Sequence, residues 1–181
     1  MIGWPRTLAW SDFTAIPESA AVFLRARNGH PIVARVSISI GFLPGNSPRS
    51  LDGLTFNRVD VRLQIDRLEY VPSRLPAAQS AAYLRHEQGH LDLMGLFARE
   101  MEVGLSALRG STAEDLTRQA EALVNESVVN ARTYAINTPT LDCVFDRETN
   151  HGMNRSQQDR WNGIIASNLA RWNAPDFFVR T

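Results

Sequence analysis

Residues 81–93 read "AAYLRHEQGHLDL", with His86 and His90 four apart and Glu87 directly after the first. With 4 histidines and 9 glutamates in 181 residues, a His-Glu-x-x-His string is expected by accident only roughly 0.004 times per such chain. Composition alone is therefore a weak explanation of it. On a helix of about 3.6 residues per turn, positions i and i+4 stand one above the other, so two imidazoles at this spacing can share one metal ion. Glu87 points about 100° further round the helix, where it cannot join them as a ligand but can reach a water on that metal as a general base. The pattern predicts a zincin arrangement with one Zn2+.

The flanks predict a helix here. "LPAAQSAAYLRHEQGHLDLMGLFAREMEVGLSALRG" has no proline after Pro76, is rich in Ala, Leu, Arg, Glu and Met, and offers Gly110 as a C-terminal stop. On a helical wheel Tyr83, Leu93, Phe97, Met101 and Leu108 share the side of His86 and His90, which places both rings on the core-facing stripe. Buried imidazoles need partners, because an unpaired polar ring in a core is costly. Gly89, Gly95 and Gly104 each lower helix propensity by up to ~1 kcal/mol relative to Ala, so their expected use is close packing of another segment.

Two stretches before the helix alternate with period two. In "IVARVSISIGF", Ile32, Ala34, Val36, Ile38, Ile40 and Phe42 take one face; in "FNRVDVRLQI", Val59, Val61, Leu63 and Ile65 do. Both predict half-buried antiparallel strands. The connection "LPGNSPRSLDG" is too irregular for a tight hairpin, and "LAWSDFTAIPE" can add a short edge strand. After Gly110, "STAEDLTRQAEALVNESVVNARTYAI" opens with a capping-box spacing from Ser111 to Glu114 and carries Leu116, Ala120, Leu123, Val124, Ala131 and Tyr134 on one stripe. "NTPTLDCVFDRETNHG" reads as a loop. A last helix starts near Asn154, with Gln157 at its third position and Trp161, Ile165, Leu169 and Trp172 on one side. The expectation is one α+β domain over residues 1–181, with strands within about 4–72 and helices within about 77–172: an antiparallel sheet, the long helix and two further helices.

The remaining composition narrows the function. A formal charge of zero with 21% charged residues gives no sign of a nucleic-acid partner. All 19 basic residues are arginines, scattered without a run. The single cysteine, Cys143, excludes an intrachain disulfide. No stretch has the length of a membrane span, and "MIGWPRTLAWSDF" lacks the basic-then-apolar order of a signal peptide.

A catalytic zinc usually takes three protein ligands and a water. The metzincin continuation is absent, because Leu96 stands where its third histidine would be. The third ligand can come from His151 in "FDRETNHGMN", from Glu126 on the following helix, or from Asp142, Asp146 or Glu148, with Cys143 a weaker candidate. Asp142 or Asp146 can instead orient a histidine ligand. His30, in "NGHP", reads as a turn residue. Tyr83, Tyr134, Arg85 and Arg147 are candidates to stabilise an oxyanion, and Asp92 faces away from the ligands as a partner for a neighbouring element.

"AWSDF", "LRHEQGHLDL" and "FDRETNHGMNRSQQDRW" resemble, in that order and from about Leu8 to Trp172, a bacterial family of secreted zinc-dependent proteases long known as a domain of unknown function. The resemblance implies His86, His90 and His151 as zinc ligands, Glu87 as catalytic base, and an extracellular or periplasmic setting. The family usually carries tyrosine where this chain has Phe145. The function expected is a zinc-dependent metallopeptidase acting on a peptide or protein substrate. The alternatives are a zinc amidohydrolase acting on a cell-wall peptide or small amide, and a binding domain with an unused metal site.

Overall fold

The computed structural model describes residues 3–21, 31–44, 49–50, 53–137 and 142–172. Among these residues five strands come first: β1 (Thr14–Ala15), β2 (Ala34–Pro44), β3 (Arg49–Ser50), β4 (Gly53–Leu54) and β5 (Val59–Tyr70). Four helices follow: α1 (Ser80–Ala107), α2 (Ala113–Tyr134), α3 (Val144–Thr149) and α4 (Arg155–Leu169). The arrangement is α+β. Three helices, not two, follow the long one, because six residues of the expected late loop are helical.

The main sheet has the order β1-β5-β2, with β2 and β5 antiparallel as their alternation predicts. The opening segment does add an edge strand, but β1 runs parallel to β5, with Thr14 opposite Glu69. Along β5 the apolar positions change phase, from Val59, Val61, Leu63 and Ile65 to Leu68 and Tyr70. A register shift opposite Ser37 and Ile38 absorbs the change: Val36 pairs with Leu68, yet Ile38 pairs with Ile65. The extra residue of such a bulge leaves two exposed neighbours, Asp66 and Arg67, and returns both apolar runs to the core face.

That face lies on α1. From Gly89 to Ala98 nearly every residue of α1 is buried, because β2 and β5 cover one side while α2 and α4 cover others. One cluster of buried side chains joins Trp4, Val61, Leu63, Leu91, Phe97, Ala120, Phe145 and Trp161, so sheet and helices share a core. The α1 glycines serve close approach as expected: a Cβ at Gly95 would stand 2.2 Å from the Trp4 ring, and one at Gly104 2.7 Å from Leu123. Asp92 accepts from the Trp4 indole N–H at 3.2 Å, tying the N-terminal segment to the helix.

Two end signals differ from expectation. α1 stops at Ala107, and Gly110 instead exchanges backbone hydrogen bonds with Leu54 at 2.8 and 2.9 Å. Thr112, not Ser111, caps α2, its hydroxyl accepting from the Asp115 N–H at 3.1 Å while the Asp115 carboxylate accepts from the Ser111 N–H at 2.9 Å. The hydroxyl half of the predicted capping box is present one residue later, while the carboxylate reaches the residue before the cap instead of the cap itself. At α4 the Asn154 side chain accepts from the Gln157 N–H at 3.3 Å, at the position the sequence indicates. Residues 45–48 and 51–52 of the Pro/Gly connection, and His30, lie outside the described residues.

Candidate metal centre

α1 delivers the first two donors. One helical turn apart, the His86 and His90 rings meet edge to face with centroids 4.8 Å apart, and their Nε2 atoms stand 3.2 Å from each other. The far side of each ring is already engaged. His86 Nδ1 lies 2.9 Å from Gln158 Oε1, and His90 Nδ1 lies 2.8 Å from the Ala135 carbonyl oxygen. The Gln158 amide nitrogen donates to Asn162 at 2.9 Å, which leaves its oxygen for the histidine. Since a carbonyl oxygen only accepts, both Nδ1 atoms carry the proton, and in the neutral imidazole each Nε2 presents a lone pair to the same point.

α3 delivers the third. Asp146 Oδ1 sits 2.7 Å from His86 Nε2 and 3.1 Å from His90 Nε2. Its other oxygen accepts from the Asn137 amide at 2.5 Å, and Asn137 in turn accepts from the Cys143 N–H at 2.7 Å. Cys143 is the N-cap of α3, accepting at its sulfur from the Asp146 N–H at 3.4 Å. Burial pushes the Cys143 thiol far up, and its sulfur serves the helix end while lying close enough to His90 and Asp146 to share a metal with them.

The fourth comes from a turn that L-residues rarely adopt. Asn150, His151 and Gly152 have φ values of +48°, +53° and +83° in succession. A left-handed residue other than glycine costs roughly 1–2 kcal/mol, less for asparagine, whose side chain bonds locally. The turn lets the His151 N–H reach back to the Asp146 carbonyl oxygen at 3.0 Å and brings His151 Nδ1 to 3.2 Å from Asp146 Oδ1. Gly152 passes so close to α1 that a Cβ there would stand 3.1 Å from the His86 Cβ.

Phe145 holds the cage together. Fully buried, it stacks on His86 (4.7 Å, 10°), meets His90 edge on (4.9 Å) and abuts Trp161 (5.5 Å). Its ring fills the space above Gly89, where a Cβ would come within 2.6 Å.

The donor set suits a cation. Zinc bonds of about 2.0–2.1 Å place tetrahedral donors about 3.3 Å apart. Separations of 2.7, 3.1 and 3.2 Å among His86 Nε2, His90 Nε2 and Asp146 Oδ1 are of that size, and His151 Nδ1 stands 3.2 Å from the same Asp146 oxygen. The charges tell the same story. Burial disfavours the Asp146 carboxylate, yet His90, His151 and His86 hold its pKa well below the usual range. Burial would lower the His90 pKa, but Asp146 carries it up to about 9, and His151 is raised in the same way. Protons on the imidazoles and a metal ion are thus competing ways to neutralise one buried carboxylate.

Glu87 is buried beside the cage. Burial raises its carboxyl pKa, against the pull of His90, His86 and a hydrogen bond from the Val36 backbone N–H. The Val71 N–H donates to the Val33 carbonyl, so in an alternating antiparallel ladder the Val36 N–H turns away from β5, toward the edge of β2 that no described strand covers.

The other candidates fall elsewhere. Glu126 is exposed on α2 and belongs to neither metal-capable cluster among the described residues, which removes it as the third ligand. Glu148 clips α3 to α4, accepting from Trp161 at 2.8 Å and Arg160 at 3.0 Å. Asp142 stays outside both clusters. Tyr134 stacks on Phe97, Arg85 and Arg147 are exposed, and the Tyr83 hydroxyl donates to the Met153 sulfur at 3.0 Å. Gln158 and Asn137, which orient the donors, escaped the sequence reading. The available signal was Gln158 itself, a polar residue in register with Trp161 and Ile165 on the buried stripe of α4.

The chain matches no protein-family model, no curated protein and no solved structure. Among the described residues, no helix is long and apolar enough to cross a membrane. A surface groove of about 290 Å³, lined by Tyr83, Arg85, Gly152, Met153 and Gln158 among others, backs on to His86.

Proposed function

We propose that the protein is a zinc-dependent metallohydrolase of the zincin kind that cleaves peptide bonds. The observation that carries this reading is the gathering of His86, His90 and His151 around one oxygen of Asp146, with both α1 histidines fixed in the tautomer that presents Nε2 there. Those four residues would hold the ion. When bound, zinc supplies Lewis acidity toward a scissile carbonyl and makes water a better nucleophile at neutral pH.

Glu87 is the proton carrier. It follows His86 directly in the helix, it is buried, and its carboxyl is raised toward the range in which it can accept a proton and return it to a leaving amine. The Val36 N–H holds that carboxyl in place. The outer edge of β2 beside it offers backbone groups to an extended peptide, as strand addition requires. Resemblance to the secreted protease family supports a peptide substrate and an extracellular or periplasmic setting.

One observation favours a second reading. Structural zinc sites are closed by four protein donors, whereas catalytic sites keep a position open, and four donors converge here. In that reading the domain binds metal for stability and hydrolyses nothing.

The deciding experiment compares the zinc-loaded parent with its Glu87→Gln variant on an unfolded protein substrate and a fluorogenic peptide library. The peptidase reading expects one zinc in each and hydrolysis by the parent alone. A zinc-loaded parent that cleaves neither substrate supports the structural reading; activity confined to small amides supports an amidohydrolase.

A further inference from the structure

The four donors are not anchored alike. His86 is braced by Gln158, with Asn162 behind it, and by the stacked ring of Phe145. His90 is braced by the Ala135 carbonyl oxygen and the edge of the same ring. Asp146 is braced at its second oxygen by Asn137 and through its backbone by the α3 cap. His151 has no such support. Its only polar side-chain partner among the described residues is Asp146 Oδ1, its side chain keeps 18% of its exposure against 3% for Asp146, and it rides on the left-handed turn. Metal ligands are ordinarily oriented by a partner on their far side, and the ring position of His151 remote from Asp146 has none among the described residues.

We propose that His86, His90 and Asp146 form the permanent three-residue set, and that His151 is an exchangeable fourth donor whose departure opens the position a catalytic site requires. The assignment rests on the metallohydrolase reading and deepens it. It reverses the expectation from family resemblance that His151 is the third ligand, and it reconciles four converging donors with catalysis. His151 has somewhere to go: it is the donor nearest the surface, and the next two residues, Gly152 and Met153, line the groove behind His86.

The test uses zinc and cobalt(II) themselves, without any activity measurement. Zinc affinity is measured by competition with a chelating indicator for the parent, Asp146→Asn, Asn137→Ala and His151→Ala. Orienting partners alone are worth roughly 10–100-fold in metal affinity, so the expected loss is more than about a hundredfold for Asp146→Asn and roughly tenfold or more for Asn137→Ala. His151→Ala should keep one zinc with less than about a tenfold loss, while its cobalt(II) visible spectrum changes as a ring nitrogen leaves the ion. Equal losses in Asp146→Asn and His151→Ala, or a larger loss in His151→Ala, overturn the assignment. If Asp146→Asn does not fold, the ranking of Asn137→Ala against His151→Ala carries the same decision. A folded parent that takes up neither metal overturns the metallohydrolase reading and this assignment with it, an outcome distinct from a reversed ranking.

Discussion

His86 and His90 owe their spacing to helix geometry alone, whereas Asp146 and His151 reach the same point from a six-residue helix and three consecutive left-handed residues. The first pair sits where any α-helix would put it and adds no backbone strain. The second pair depends on a cap, a turn and an asparagine that lies several residues away in sequence. Periodic structure sets a spacing cheaply, but only irregular structure brings a donor across to meet it. The ring of Phe145 joins the halves, with one face on His86 and an edge on His90.

That joint is the place to break the comparison most severely. Truncating a fully buried aromatic typically costs 3–5 kcal/mol, so Phe145→Ala is expected to lose about that much in urea unfolding and to weaken zinc binding. Stability lost without any change in zinc affinity would mean that the halves meet independently of the ring.

Zinc itself should bind the halves together. At free zinc about a hundred times the dissociation constant, binding to the folded state alone adds about 2.7 kcal/mol, seen as a raised Tm that a chelator reverses. His90→Ala should abolish most of that shift. A Tm that ignores zinc in the parent would remove the reason for the two halves to converge.

A smaller effect separates the two faces of α1. Overpacking a core usually costs about 1–3 kcal/mol, offset by up to ~1 kcal/mol of helix propensity for Gly→Ala. Gly89→Ala, driven against Phe145, should destabilise and also lower zinc affinity. Gly95→Ala, driven against Trp4 on another face, should destabilise and leave zinc affinity unchanged. Parallel losses of zinc affinity in both variants would show that the centre depends on the whole core rather than on the Phe145 contact.

The mildest change lies far from the centre. Removing the α2 cap in Thr112→Ala should cost about 1 kcal/mol in urea unfolding, with zinc affinity untouched.

The regular half was legible because its rules are local. The period of α1, the alternation of β2 and β5, the cap at Asn154 and the small residues under Phe145, Trp4 and Leu123 all follow from neighbours along the chain. The bulge on β5 was readable in principle, since the phase change from Ile65 to Leu68 is in the sequence, but only pairing with β2 shows it to be absorbed. The α3 helix was missed because six residues give too short a period to register against a loop rich in polar residues. Asp146 was one carboxylate among three in that loop. Glu148 and Asp142 have the same chemistry, and only the folded chain gives Glu148 to Trp161 and Asp146 to the histidines.

By itself the sequence determined which two imidazoles share a face, which carboxylate stands between them, and that a sheet precedes the helix, because each depends on repeat lengths set by backbone geometry. The tertiary structure decided what those imidazoles face. Asn137, Ala135, Asp146, His151 and Gln158 come from segments 45 to 72 residues distant from their histidine partners or linked to them through Asp146. Nothing in the spacing of residues along a chain encodes a convergence made by packing a turn, a short helix and the start of α4 against α1 under one aromatic ring.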